Sequence, residues 1–184
     1  GLAVVAGFNI SNTVANLFNV VFIALGSAIS IIVGQQLGAG KLEEAVDTDR
    51  KMIVFSVFCC FVIGACMFAI APFFPRIYNT TEEVRGLAKQ FIRIASACMP
   101  LYGFMHATYF TLRSGGRTVI TFLFDSVYIW VVDIPLAFVL TRFTGVPIVS
   151  IYLSCQLIEI IKCIIGYVMV KKKIWVNNMV MEQQ

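Results

Sequence analysis

The stretch Asn9-Ile10-Ser11-Asn12-Thr13-Val14-Ala15-Asn16-Leu17-Phe18-Asn19 decides how the rest of the chain is read. Its four asparagines, Asn9, Asn12, Asn16 and Asn19, stand three, four and three residues apart, and Gly26, Ser27, Ser30 and Gly34 continue on the same side. At about 3.6 residues per turn these positions fall within roughly a quarter of a helix circumference. Val14, Phe18, Val21, Phe22, Leu25 and Ile29 project from the other side. The pattern predicts one long helix with a lipid-like back and a polar or closely packed front. A buried amide left unpaired is costly, so that front looks onto partner helices or onto a watery cavity. Both readings stay open at this stage.

Composition fixes the class. Of 184 residues, 59% are hydrophobic and 13% charged, and the mean hydropathy is +0.88, far too apolar for a soluble domain. Hydrophobic runs at about 2–37, 52–75, 87–112, 118–141 and 146–170 each reach the ~20 residues that cross a bilayer as a helix. The expected architecture is an all-α integral membrane bundle of five spans over 1–170, followed by a basic tail over 171–184. Five is an odd count for a self-contained transporter, and the chain opens on Gly1 without a secretory signal pattern. A piece of a longer polypeptide is therefore expected.

Several chemistries drop out. Cys59, Cys60, Cys66, Cys98, Cys155 and Cys163 lie in apolar runs, two adjacent and none in a Cys-x-x-Cys pair, so neither a metal centre nor a disulfide framework is expected. The net charge of +4 is modest and includes Lys171, Lys172 and Lys173 after the last span, which is a topology signal and not a nucleic-acid patch. No His-Asp cluster, Ser-Lys pair or metal-ligand spacing is present to carry catalysis. No enzyme, cofactor or catalytic residue is expected.

Between the spans, Gly34, Gln35, Gly38 and Gly40 form a helix-exit run whose glycines allow a left-handed cap. The charged segment Lys41 to Lys51 predicts a short surface helix feeding a second span from Met52. Thr80 and Glu83 have capping-box spacing at the start of the third span, and Asn79-Thr80-Thr81 is also a glycosylation sequon. Within the third span, Pro100 predicts a kink, His106 a packing residue, and Arg93 a side chain reaching outward. Lys and Arg number eight on the side of the C-terminus against five on the other, which places the C-terminus in the cytoplasm.

Asp125, Asp133, Glu159 and Lys162 are ionisable groups inside spans, which are expensive there and usually serve something. Measured from the C-terminal side at about 1.5 Å per residue, Asp125 lies about 10 Å deep, Lys162 about 13 Å, Glu159 about 18 Å and Asp133 about 22 Å. The last two spans are antiparallel neighbours, so Asp125 and Lys162 should meet, with Glu159 one turn from Lys162. Two roles follow. Lys162 either neutralises carboxylates and fixes helix packing, or it leaves one carboxylate able to carry a proton.

Three stretches resemble the multidrug and toxic compound extrusion (MATE) family of cation-coupled exporters. They are Gly26 to Gly40, ending in Gly34-Gln35-Gln36-Leu37-Gly38-Ala39-Gly40 and followed by Glu44-Ala45; Leu112-Arg113-Ser114-Gly115-Gly116-Arg117-Thr118, with Trp130 and Asp133-Ile134-Pro135-Leu136-Ala137; and Gly145-Val146-Pro147-Ile148-Val149-Ser150-Ile151-Tyr152, with Glu159, Lys162 and Lys173-Ile174-Trp175. In this order they cover nearly the whole chain. The resemblance implies a twelve-helix, two-lobe transporter of the cell membrane, of which these spans are helices eight to twelve, lacking the N-terminal lobe and the first C-lobe helix. It implies export of small, often cationic, organic compounds by alternating access, driven by H+ or Na+. On that pattern the asparagine stripe lines the central cavity with Tyr102, Phe104 and Tyr109. Some members carry an ion-binding aspartate in helix ten, whereas Phe91 to Phe110 holds no acidic residue, which sets aside a sodium site of that type. Two rivals stand beside this reading. One is a non-transporting membrane interaction module or degenerate fragment. The other is a lipid-linked saccharide flippase, whose cavity would be more cationic than Lys162 and Arg93 allow.

Overall fold

The computed structural model describes residues 1–116 and 118–176. These residues form six α-helices in order: α1 (Leu2–Gly38), α2 (Leu42–Ile70), α3 (Glu82–Ser114), α4 (Thr118–Phe122), α5 (Ile134–Phe143) and α6 (Ile148–Lys171). A 3-10 turn, Phe74–Ile77, stands between α2 and α3, and two π-turns, Leu123–Val127 and Ile129–Asp133, stand between α4 and α5. No strand occurs among the described residues. The end of the bundle where α1, α3 and α6 finish is called the tail end below.

Among the described residues, four helical stretches are long and apolar enough to cross a membrane: α1, α2, Val119–Phe143 and α6. The chain is a multi-pass membrane protein. The fifth expected span, 87–112, lies in α3, which is long enough at 33 residues but is not among those four apolar stretches. The physical reason is its position. The other three long helices pack on α3, so its sequence need not match lipid.

Glycines set how closely they pack. Gly26 of α1 lies against the Phe110 ring, and a methyl group on Gly7 would come within 3.0 Å of Leu87. On Gly166 of α6 it would meet Thr108 Oγ1 at 2.9 Å, and on Gly103 of α3 it would meet Cys60 Sγ at 2.6 Å. Small residues at membrane helix contacts let backbones approach in this way. Gly64 of α2 shows why one such contact is needed. Pro100 has no N–H, so the Ser96 carbonyl four residues earlier loses its helical donor. That carbonyl turns onto α2, where a Cβ on Gly64 would sit 2.6 Å from it. α3 continues as one helix through Pro100.

Three local expectations change. The segment Lys41 to Lys51 is not a separate surface helix, because α2 runs unbroken from Leu42. The cap of α3 is Thr81 and not Thr80: its hydroxyl accepts from the Val84 N–H at 3.4 Å, and the third helical position is Val84, so no glutamate returns a bond to complete a box. The apolar back of α1 is not a lipid face. Val14, Phe22 and Ile29 are buried, packing in clusters with Cys60, Met67, Ile92 and Met99 or with Ala107, Leu112 and Trp175.

At the tail end α1 stops on Gly40, whose φ of 74° is left-handed. The Lys41 N–H reaches the Gln36 carbonyl at 3.0 Å and the Gly40 N–H reaches Leu37 at 3.1 Å, the paired bonds of a Schellman ending. After α6 the chain turns back, and Trp175 packs its backbone on Gly115 at the end of α3. Its indole is 1% exposed, so this turn belongs to the core.

Candidate functional site

The asparagine stripe lies on a shoulder of α1. Asn9 and Asn16 are exposed and Asn12 and Asn19 half-buried, between the packed face and an exposed apolar face that includes Leu17, Val20 and Ile31. Asn19 Nδ2 donates to Asn16 Oδ1 at 3.2 Å, so two amides satisfy each other along the helix. Gly26, placed with this stripe by spacing, is buried against α3 instead. The aromatics expected beside the stripe are dispersed. Tyr102 donates to Gln156 on α6, Phe104 packs with the Trp175 cluster, and Tyr109 stands with His106 and Phe110 around a separate small cavity. The structure does not gather these seven residues into one lining.

It does gather the four ionisable residues. Lys162 of α6 is 3% exposed; its ammonium lies 3.4 Å from Glu159 Oε2 and 3.7 Å from Asp125 Oδ1. Asp133 completes the group, its carboxyl close enough to interact with Glu159 and Lys162. Asp133 Oδ1 finds no donor among the described residues, and Glu159 Oε2 has the Lys162 ammonium only at ion-pair distance. Three carboxyl groups thus share one lysine.

The backbone that carries the two aspartates is irregular. Asp125 sits in the first π-turn and Asp133 ends the second. Pro135 is the second residue of α5, and its missing N–H withholds a helical bond from Val131, which favours loosening of the preceding turn. π-turns within helices occur frequently at functional sites. Hydropathy gives no sign of them. Two aromatics of the same stretch form a shelf under the lysine: its ammonium lies 5.0 Å from the Tyr128 ring centre and 6.0 Å from that of Phe124, within reach of cation–π attraction. Tyr128 Oη also donates to the Ile158 carbonyl at 2.8 Å, tying the shelf to α6. The spacing of Phe124 and Tyr128 around Asp125 is the sequence signal that could have revealed this shelf.

Asp125 and Lys162 open onto a cavity of about 180 Å³ shared with His106, Tyr109 and Phe110. His106 stacks on Phe22 of α1, ring centres 5.5 Å apart and planes at 14°. The cavity is large enough for water or a small ion and too small for a drug-sized ligand. Among the described residues no group of three His, Cys, Asp or Glu is arranged to hold a metal. Arg93 lies exposed over the Phe68 ring, 5.4 Å from its centre.

Two curated proteins resemble the chain. It is 23% identical over 153 residues to the "Probable multidrug resistance protein YoeA" of Bacillus subtilis, a match covering 81% of this chain and 32% of that protein. It is 25% identical over 138 residues to the "Probable multidrug resistance protein NorM" of Oceanobacillus iheyensis, covering 71% of this chain and 29% of that protein. The chain thus spans about a third of the length of these relatives. No solved structure matches it. The MatE family model matches residues 1–139, three quarters of the sequence, and on that match the chain belongs to the MatE family.

Proposed function

We propose that this chain is the C-terminal part of a drug exporter, helices eight to twelve of a two-lobe protein. In that protein it works by alternating access against an N-terminal lobe, with its C-terminus in the cytoplasm of the cell. Relatives named as multidrug resistance proteins support drugs as the substrates, and the family resemblance makes these small amphipathic, often cationic, compounds. The asparagine stripe, exposed here on a shoulder of α1, is the wall that this lobe turns toward the substrate path.

Coupling to protons is the reading that the charged cluster supports best. The observation that carries it is the crowding of Asp125, Asp133 and Glu159 about one buried lysine, with Asp133 Oδ1 buried and without a donor among the described residues. Three carboxyl groups beside one ammonium favour a proton shared among them, and that proton also supplies the missing donor. Lys162 holds the remaining negative charge, and its approach to Asp125 offers that charge a second location. The proton then leaves or enters through the small cavity beside Asp125.

The test uses the full-length exporter in proteoliposomes with an imposed pH gradient. Glu159→Gln and Asp133→Asn each keep shape and remove the shared proton, and each is expected to lower proton-driven export about tenfold or more, while substrate binding is retained. Unchanged proton-driven export in Glu159→Gln would remove the pair from coupling and leave Lys162 as a packing lock between α6 and the fourth span. Export that follows a sodium gradient and ignores pH would assign the coupling ion to Na+.

A further inference from the structure

The second polar cavity lies at the tail end, well apart from the charged cluster along the bundle, and encloses about 510 Å³. Its chemistry is layered. Asp49 of α2 lines it and is 1% exposed; its Oδ1 accepts from the buried Thr111 hydroxyl at 2.5 Å. No base pairs with Asp49 among the described residues. Its helix neighbours differ: Asp47 is held by Lys51 at 2.6 Å and Glu44 by Lys41 at 3.0 Å. Trp175 lines the same cavity, and its indole N–H is buried without an acceptor among the described residues.

Around the mouth stand Arg50, Lys171 and Lys173, all exposed and none in an ion pair among the described residues. The walls between are apolar, with Ile53, Phe104 and Val170. Burial pushes the pKa of the Asp49 carboxyl up to about 7, and a cation that brings its own donors would hold it ionised. A basic mouth calls for an anion. One ligand answers both demands if it carries an ammonium on a short arm beyond a phosphate. The level of the cavity suits such a ligand, because the charged first turns of α2 give way to apolar sequence at Met52, where a bilayer surface meets the helix.

We infer that this cavity binds the head group of an aminophospholipid, with its primary ammonium on Asp49 and its phosphate among Arg50, Lys171 and Lys173. The acyl chains remain in the bilayer against the exposed side of Val54. A quaternary ammonium has no N–H to give Asp49, so phosphatidylcholine is a poorer ligand than phosphatidylethanolamine. This assignment is independent of proton coupling.

The chain purified in detergent is titrated with phosphatidylethanolamine, phosphatidylcholine and phosphatidylglycerol, and retained lipid is counted by native mass spectrometry. Phosphatidylethanolamine is expected to bind about tenfold or more tightly than phosphatidylcholine, the scale of a hydrogen bond to a charged group. Asp49→Asn keeps an oxygen for Thr111 and is expected to abolish that preference, whereas Lys171→Gln with Lys173→Gln weakens phosphatidylethanolamine and phosphatidylglycerol alike. Val54→Trp, at a position 64% exposed, fills the mouth without entering the core and should block the site, so the test survives even if Asp49→Asn fails to fold. Soluble glycerophosphoethanolamine, the same head group without chains, is expected to bind more weakly; equal binding would overturn the lipid assignment. Equal retention of the ethanolamine and choline lipids, or a preference unchanged by both Asp49→Asn and Val54→Trp, would overturn the site.

Discussion

In α2, 28% of the most apolar window is buried inside the bundle, whereas in Val119–Phe143 the share is 6%, although both are long and apolar enough to cross a membrane. The difference lies in what each helix offers its neighbours. α2 brings Gly64 and Cys60 to α3, and backbone meets backbone. The fourth span brings no glycine; it meets the bundle through Phe124, Tyr128 and two aspartates, in π-turns that forgo regular helix bonding. Close packing resists motion because dense interiors do not deform continuously. The loosely packed, charge-held span is therefore the part of the bundle that can shift, and it carries half of the ionisable cluster.

Substitutions in the two regions test this contrast. The largest effect is expected for Lys162→Met, which leaves the Glu159 carboxyl buried without its cation and should cost about 3–5 kcal/mol. Adding Glu159→Gln to it should restore most of that loss. Unfolding in detergent micelles measures both, and full additivity of the two would show that Lys162 and Glu159 are not coupled.

A smaller loss, about 1–3 kcal/mol, is expected for Gly64→Leu, because the added side chain must displace the Ser96 carbonyl or Met99. The matching change in the fourth span, Val131→Leu at a position 65% exposed, should stay within about 0.5 kcal/mol. Equal losses at the two positions would break the comparison. Thr81→Ala removes the one side-chain cap at the start of α3 and should cost about 1 kcal/mol, read from the same unfolding curves.

Hydropathy reveals helices that face lipid and passes over the one they surround. α3 carries Arg93, Pro100, His106 and several hydroxyls because little of it faces hydrocarbon, and a window average counts those residues against it. The packing glycines were visible in the sequence, but Gly26 shares a helix with Ser27 and Gly34, and spacing alone does not say which of them meets a partner. Depth arithmetic fared better with charge. Asp125, Lys162 and Glu159 are close in height on neighbouring antiparallel helices, so their meeting followed from helix rise and a short connection. What sequence could not supply was the bond geometry between α4 and α5, since only Pro135 hints at a missing donor. Asp49 was hidden for the opposite reason. It stands among charges that face water, and only the placement of Thr111 shows that it turns inward.

Trp175 sets an order on assembly. Ile29, Val33, Leu37 and Leu112 form a cluster that this indole completes, yet it lies about 60 residues after α3 ends. At roughly 5–20 residues per second of synthesis, α1, α2 and α3 wait about 3–12 s with an open seat beside Gly115. A C-terminal tag that begins before Val176 would keep that seat empty for good, so reporter fusions belong beyond it.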